Sequence, residues 1–427
     1  MGWWILVLSS LDAVLSTIDR QTVAVLQSTI KDQFAIGDSE YGMLVTAFLG
    51  AYSIFFVVCG WLTDRFGSRV MLTVFIAVWS VASVLSGTAR SFPELAIYRA
   101  LLGAAEAGLT PATIYALVRW FPKERLATAY GLRGPIIALG PILAPPIIVG
   151  LALAFGWRAA FWVPGSIGFV FAAAWWLSDR NPVGAQTTSV SLTLRTVLQS
   201  KALWALIGAR FISDPLWFFV QHWQAGYLQD VVGLSLAQVG GLLWIPPLAA
   251  ALLAVAVTMW SDHRLRQGQT VRRSRVAVMQ AAAILAPLVM IIPFVKDVPL
   301  VLALLTATHA MCLCWLFLSN VLLAAFFEKG MVGTAAGVLN ALGAAGAAAL
   351  SPLIGEVVER FGYTPIFLFG ACLHPLATLL LHVSYRRDGH SLKSSAAADT
   401  SVDAGGPRGD DGLRADLGAP KSVLGDE

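Results

Sequence analysis

Apolar residues run along this chain in blocks of about 20, the length a helix needs to cross the ~30 Å apolar core of a bilayer. The blocks fall at 3–28, 40–62, 70–89, 94–118, 127–153 and 158–178, and again at 202–228, 236–260, 276–295, 299–326, 331–356 and 364–385. A more polar link, Asp179 to Ser200, separates the two sets. The pattern predicts an all-α membrane protein of twelve transmembrane helices in two six-helix halves, with 1–180 as the first half, 181–200 as a linker and 201–386 as the second half. Residues 387–427, rich in Ser, Ala, Gly and Asp without apolar periodicity, are expected to form a disordered tail. The first block contains Asp12, Asp19 and Arg20, so it is expected to persist as a helix rather than be removed as a signal peptide.

Composition removes the soluble alternatives. The chain is 57% hydrophobic and 13% charged, with a mean hydropathy of +0.72. Its net charge of +4 lies in short loops and makes no basic face, so nucleic acid is not an expected partner; the lipid bilayer is. Lys and Arg concentrate in alternate loops. Arg65, Arg69, Arg119, Lys123, Arg125, Arg180, Arg195, Lys201, Arg264, Arg266, Arg272, Arg273, Arg275 and Lys329 lie on one side, against Lys31, Arg90, Arg158, Lys296 and Arg360 on the other. By the positive-inside rule both termini and the linker are expected in the cytoplasm; a multi-pass place in the cell (inner) membrane and a monomeric chain are further expectations. Cys59, Cys312, Cys314 and Cys372 sit in apolar blocks without metal-ligand spacing, so neither metal nor cofactor is expected. No Walker loop, HExxH or G-x-S-x-G is present, and no enzymatic chemistry is expected.

Two short marks repeat at a spacing of roughly 200 residues. Trp61-Leu62-Thr63-Asp64-Arg65 returns as Trp260-Ser261-Asp262-His263-Arg264, and Phe155-Gly156-Trp157 with Phe161 returns as Phe361-Gly362-Tyr363 with Phe367. Two like-oriented halves with a substrate site between them at mid-membrane follow from such a repeat.

Ionisable groups inside the apolar blocks carry the candidate chemistry, because charge in a bilayer is costly and is retained where it works. Arg99, Gly103, Glu106 and Thr110 share one helix face, which is expected to line a cavity, with Arg99 ~8 Å and Glu106 ~18 Å from the helix entry. Asp19-Arg20 lies deep in the first block, where neighbouring side chains point ~100° apart and cannot neutralise each other face to face. Arg210 and Asp214, one turn apart, read equally as a local ion pair or a functional one; Arg133 reads as snorkelling to the interface and His309 as a packed polar group.

The loop Gly60-Trp61-Leu62-Thr63-Asp64-Arg65-Phe66-Gly67-Ser68-Arg69 resembles the signature of the major facilitator superfamily, G-x-L-x-D-R-x-G-x-R. Its glycines permit a tight reversal, and Gly60, Asp64, Arg65, Gly67 and Arg69 are expected to act as a conformational latch. Asp19-Arg20, Arg99-x-x-x-Gly103-x-x-Glu106-Ala107-Gly108, Trp120-Phe121-Pro122 and Gly156-Trp157-Arg158-Ala159-Ala160-Phe161 resemble the anion:cation symporter branch, while Ala144-Pro145-Pro146 and Ala209 to Phe219 look most like hexuronate transporters. That resemblance implies proton coupling at Asp19 and Glu106, and substrate binding at Arg20, Tyr52, Arg99 and Asn340. Thr17 and Ile137 depart from the branch, which carries tyrosine and in some members glutamine there.

The function expected is proton-coupled symport of a small organic anion, a hexuronate or related sugar acid, by alternating access. The alternative within the same fold is a proton-coupled drug antiporter, hinted by Gly131 with Gly140-Pro141. Epitope tags at Ser401 and beside Arg272 are expected to be reached by antibody only after permeabilisation; labelling of either in intact cells would reverse the topology.

Overall fold

The computed structural model describes residues 1–180, 196–269, 271–324, 326–327 and 331–402, with side chains as far as 384. Part of the expected linker (181–195), the end of the expected tail (403–427) and the side chain of Asp262 lie outside the described residues. Two units are separate: 1–382 holds the helical bundle, and 383–427 follows it.

In order, the first half comprises α1 (Gly2–Val25), α2 (Gln27–Phe34), α3 (Asp38–Thr88), α4 (Phe92–Glu106), α5 (Leu109–Trp120), α6 (Lys123–Phe155) and α7 (Ala159–Ser178). The second comprises α8 (Lys201–Asp230), α9 (Leu236–Leu242), α10 (Ile245–Arg266), α11 (Val271–Ala283), α12 (Ala286–Val289), α13 (Val298–Ala324), α14 (Val332–Phe361) and α15 (Thr364–Val402). The last helix continues as helical backbone past 387, as far as Val402.

Eleven helices among the described residues are long and apolar enough to cross a membrane. One of them, α3, has 51 residues and so would be ~76 Å long at 1.5 Å per residue, more than twice an apolar core. Its backbone breaks at Gly67, φ 78° and ψ 163°, a conformation glycine adopts without a Cβ penalty. Gly67 divides α3 into two segments, 38–66 and 68–88, each of crossing length; the apolar blocks predict twelve crossings, against eleven helices of crossing length among the described residues.

Local signals set the helix ends. Ser91 caps α4 by accepting from the Glu94 amide at 3.4 Å, with Pro93 in the first turn where its missing N–H is harmless. Ser235 and Gln238 close a reciprocal capping box on α9. Prolines 135, 141, 145 and 146 lie inside α6.

Small residues decide how closely the helices meet. A Cβ on Gly168 would fall 2.1 Å from the Ser80 hydroxyl, and one on Gly165 3.0 Å from Ser83 Cβ, so α7 lies directly on α3. A Cβ on Gly103 would fall 2.2 Å from the Phe48 carbonyl oxygen, which joins α4 to α3 with no space between. Between the halves, Gly42 faces the Ser351 carbonyl and Gly355 the Asp38 carbonyl, at 2.5 and 2.4 Å from the respective Cβ positions, so α3 and α14 cross backbone to backbone.

That crossing sits at the end of the bundle away from the N-terminus. The inter-half hydrogen bonds gather there: Tyr41 Oη to His222 O at 2.6 Å, Thr46 Oγ1 to Ala348 O at 3.1 Å and the Ser39 amide to Glu359 at 2.9 Å. Lys31 bridges Asp38 of its own half at 2.8 Å and Asp230 of the other at 3.4 Å. Burial favours the neutral amine, but the two carboxylates outweigh it and hold the Lys31 ammonium above its ordinary range.

Gly103→Leu is expected to push α4 off α3 and to destabilise the protein by about 1–3 kcal/mol, the usual scale of overpacking, read as a lowered Tm in detergent; Gly131→Leu, whose Cβ position is open, should leave Tm unchanged.

Candidate functional site

The charged residues of α1 and α4 meet in one cluster. Arg20 donates from Nε and Nη2 to the same oxygen of Glu106, at 3.1 and 2.8 Å. The pair is asymmetric toward solvent: the Arg20 side chain is 33% exposed and the Glu106 side chain 0%. The Arg20 guanidinium also lies over the rings of Phe48 and Tyr52, 5.5 and 5.3 Å from their centroids, within the range of cation–π attraction. Glu106 is the last residue of α4, and the chain turns through Ala107-Gly108 before α5, with Gly108 pressed on the Phe75 ring.

Asp19 is buried at 1% exposure and accepts a short hydrogen bond from the Ser83 hydroxyl of α3. Arg99 is equally enclosed and donates to backbone: Nη1 to the Asp19 carbonyl and Nη2 to the Arg20 carbonyl, each 3.2 Å. Its guanidinium lies 5.0 Å from the Phe48 centroid. Arg99 therefore braces the α1 segment that carries Asp19 and Arg20.

A cavity of about 240 Å³ opens beside this cluster, lined from the first half by Arg20, Phe48, Tyr52, Phe56 and Thr110, and from the second by Arg210, Trp217, Phe218 and Asn340, among others. Among the residues proposed from sequence, it brings together Arg20, Tyr52 and Asn340. The expected cavity-lining stripe on α4 is only partly realised: Thr110 lines the cavity, but Gly103 is closed by α3, and Arg99 and Glu106 lie behind Arg20. The sequence pattern marked a polar face correctly and mistook a helix–helix contact for a water-facing one.

The second half supplies its own charge pair. Arg210 donates from Nε to both Asp214 oxygens at 2.6 and 2.8 Å, from Nη1 to Ser319 at 3.2 Å and from Nη2 to Asn340 Oδ1 at 3.3 Å. Gly343 of α14 passes over Asp214 where a Cβ would fall 2.2 Å from its oxygen. Arg210 is a wall residue of the cavity, a role the i,i+4 spacing alone left open. His309 packs on Trp217 and keeps its ring nitrogen on the Leu305 carbonyl at 3.0 Å, as a packed polar group. Ser83 was missed; its signal is the small-residue face Ser80, Ser83 and Gly87, which packs on α7.

The Gly60–Arg69 loop stands apart from the cavity. Asp64 and Arg65 are exposed, Arg65 stacks with Trp61 and Phe66 at 5.6 Å, and Arg69 donates to the Trp176 carbonyl at 3.0 Å. Beside it, Asp179 accepts from Ser68 at 2.6 Å and from the Trp120 indole at 2.7 Å, tying α3, α5 and α7 together. Gly60 has open space around it, and Gly67 makes the reversal.

With this geometry in view, three comparisons bear on identity. The model of the Major Facilitator Superfamily matches residues 11–319. The hexuronate transporter of Escherichia coli (strain K12) is 24% identical over 411 residues, covering 89% of this chain and 93% of that protein. The galacturonate transporter of Dickeya chrysanthemi is 25% identical over 272 residues, 59% of this chain and 79% of that one. Among solved structures, that of a D-xylose-proton symporter superposes with a TM-score of 0.71 at 15% identity, over 88% of this chain and 96% of the other, a likeness of fold.

Arg99→Met removes two charge-assisted bonds to carbonyls, each on the scale of about 1.5–3 kcal/mol, and should lower Tm as well as transport. Tyr52→Phe, which keeps the ring over Arg20 and loses only the hydroxyl bonded to Thr110 and Arg20, should lower Tm by less than Arg99→Met while changing substrate affinity; equal Tm loss in both would contradict this division of labour.

Proposed function

Because the chain belongs to the Major Facilitator Superfamily, we propose that it takes up an organic anion, a hexuronate or related sugar acid, together with protons by alternating access. The observation that carries this reading is the Arg20–Glu106 pair, with a guanidinium facing the cavity and a carboxylate that has no face on it. A substrate carboxylate reaching Arg20 competes with Glu106 for the same N–H groups. Displacing Glu106 as an anion would strand an unpaired charge in a buried site, a cost of several kcal/mol. Taking a proton removes that cost, so anion binding and protonation favour each other, and linkage makes the coupling reciprocal.

In this scheme Glu106 and Asp19 carry the protons, Arg20 binds the carboxylate through its planar fork, and Tyr52 and Asn340 orient hydroxyls. Arg99 holds Arg20 in register. The sealed end, with Lys31 between Asp38 and Asp230, is the outer gate, and Gly60, Asp64, Arg65, Gly67 and Arg69 form a cytoplasmic latch disengaged while that gate is shut. Both termini then lie in the cytoplasm and the membrane is the cell membrane. Similarity to a hexuronate transporter and a galacturonate transporter supports a sugar acid as the class of substrate.

The drug-antiporter alternative requires a site for lipophilic cations, which the Arg20 guanidinium in the cavity wall opposes.

In proteoliposomes with an inside-alkaline pH gradient, uptake of labelled galacturonate should be competed by other sugar acids and not by galactose or a lipophilic cation. Glu106→Gln, a mimic of the protonated acid, should keep substrate counterflow and lose gradient-driven accumulation at least tenfold. Equal competition by galactose or a lipophilic cation would remove the anion reading; full accumulation by Glu106→Gln would remove the coupling.

A further inference from the structure

Asp12 has no part in the scheme above, yet it is one of the most enclosed carboxylates in the bundle, 2% exposed near the midpoint of α1. Its Oδ1 is buried without a hydrogen-bond partner. So are Oδ2 of Asp19 and Oε1 of Glu106, which gives three carboxyl groups in one region each with a free, enclosed oxygen. Unpaired buried carboxylate oxygens are costly in a core that only has to hold together.

Their placement has an order. Asp12, Ser16 and Asp19 stand at i, i+4 and i+7, on a single face of α1, and Ser9 extends that face toward the N-terminal end. Ser9 and Ser16 are buried at 1% and 4% exposure. Ser16 is one turn from each acid, where side chains of a helix are neighbours ~5–6 Å apart at Cβ. Its hydroxyl lies 3.2 Å from the Ala13 carbonyl, and its lone pairs remain available to accept. From Asp19 to Asp12 the rise is ~10 Å toward the end of the bundle that carries the N-terminus.

The charged groups that act electrostatically on Asp12 are Glu106 from α4, Arg133 from α6 and, on its own helix, Asp19. Arg133 does not form an ion pair with Asp12 among the described residues, and its Nε is buried without a partner. An acid and a base therefore act on each other across the α1–α6 contact, each with one buried polar atom that lacks a hydrogen-bond partner. That contact is close, since a Cβ on Gly140 of α6 would fall 2.9 Å from Thr17 Cβ.

We infer that Asp12 is a third proton-carrying carboxyl group, the relay through which protons leave Asp19 for the N-terminal side of the membrane. The Asp19 O–H bond breaks and an O–H bond forms on Asp12, with the Ser16 hydroxyl accepting one proton as it gives up another. Asp19 is left anionic and Asp12 neutral. Asp12 then releases its proton to water at the N-terminal end and, once anionic, is balanced by Arg133. No other bond changes. The inference rests on the proton coupling proposed above and adds the exit route and its carrier.

The test uses the full chain in proteoliposomes loaded with a pH-sensitive dye, with labelled galacturonate as the probe. Asp12→Asn should lower gradient-driven net uptake and the accompanying internal acidification about tenfold, while galacturonate counterflow, which needs no net proton release, continues at the wild-type rate. Asp12→Glu, which keeps a proton carrier, should restore both, with a shifted pH profile. Wild-type acidification by Asp12→Asn would overturn the relay. So would an equal fall in counterflow and net uptake, or failure of Asp12→Glu to restore net uptake, since either marks a packing role. A wild-type chain that takes up galacturonate with no acidification would contradict the coupling itself, and the relay with it.

Discussion

A single buried ion pair with solvent on one side of it governs the arrangement of the first half. Glu106 gives up all contact with water and keeps Arg20, and Arg20 keeps a third of its surface on the cavity. Such a pair is stable only while both members are charged and in register, since removing one partner leaves the other uncompensated at a cost of about 3–5 kcal/mol. The surroundings supply that register. Arg99 fixes the backbone of Asp19 and Arg20, Phe48 and Tyr52 hold the guanidinium by its face, and Gly103 lets α3 come close enough for them to do so.

Both members of this pair belong to the first half, as both members of Arg210–Asp214 belong to the second. Rigid rocking of one half against the other parts neither. The contacts that rocking must break are the ones that cross, Lys31 to Asp230, Ser39 to Glu359 and Tyr41 to His222. In the proposed scheme, then, different residues carry mechanical and chemical events: the crossing bonds would respond to motion, and Arg20–Glu106 to a proton or a competing anion. The cavity itself is bounded by both halves.

Much of this was legible in the chain. Apolar block lengths give the crossings, and Gly67 divides a helix too long for one of them. Charges in apolar blocks mark Asp19, Arg20, Arg99 and Glu106 because bilayers penalise them wherever they point. What a helical face cannot tell is whether it meets water or another helix. Gly103 reads as an opening and is a contact; Arg99 reads as a substrate ligand, and in the structure its guanidinium bonds the α1 backbone. Arg210 stayed ambiguous for the same reason, since i,i+4 spacing fixes its partner and not its exposure. Ser83 carries no charge to announce it, and its bond to Asp19 depends on how α7 seats α3.

Infrared difference spectroscopy of the purified protein, with and without a sugar acid, addresses the competition at Arg20 directly. If an anion displaces Glu106 and the displaced group takes a proton, binding should add a band in the protonated-carboxyl region that shifts in deuterated water and is missing from Glu106→Gln. Saturating binding with no gain in that region, or a gain that persists unchanged in Glu106→Gln, would contradict protonation of Glu106 as the event that couples substrate to proton.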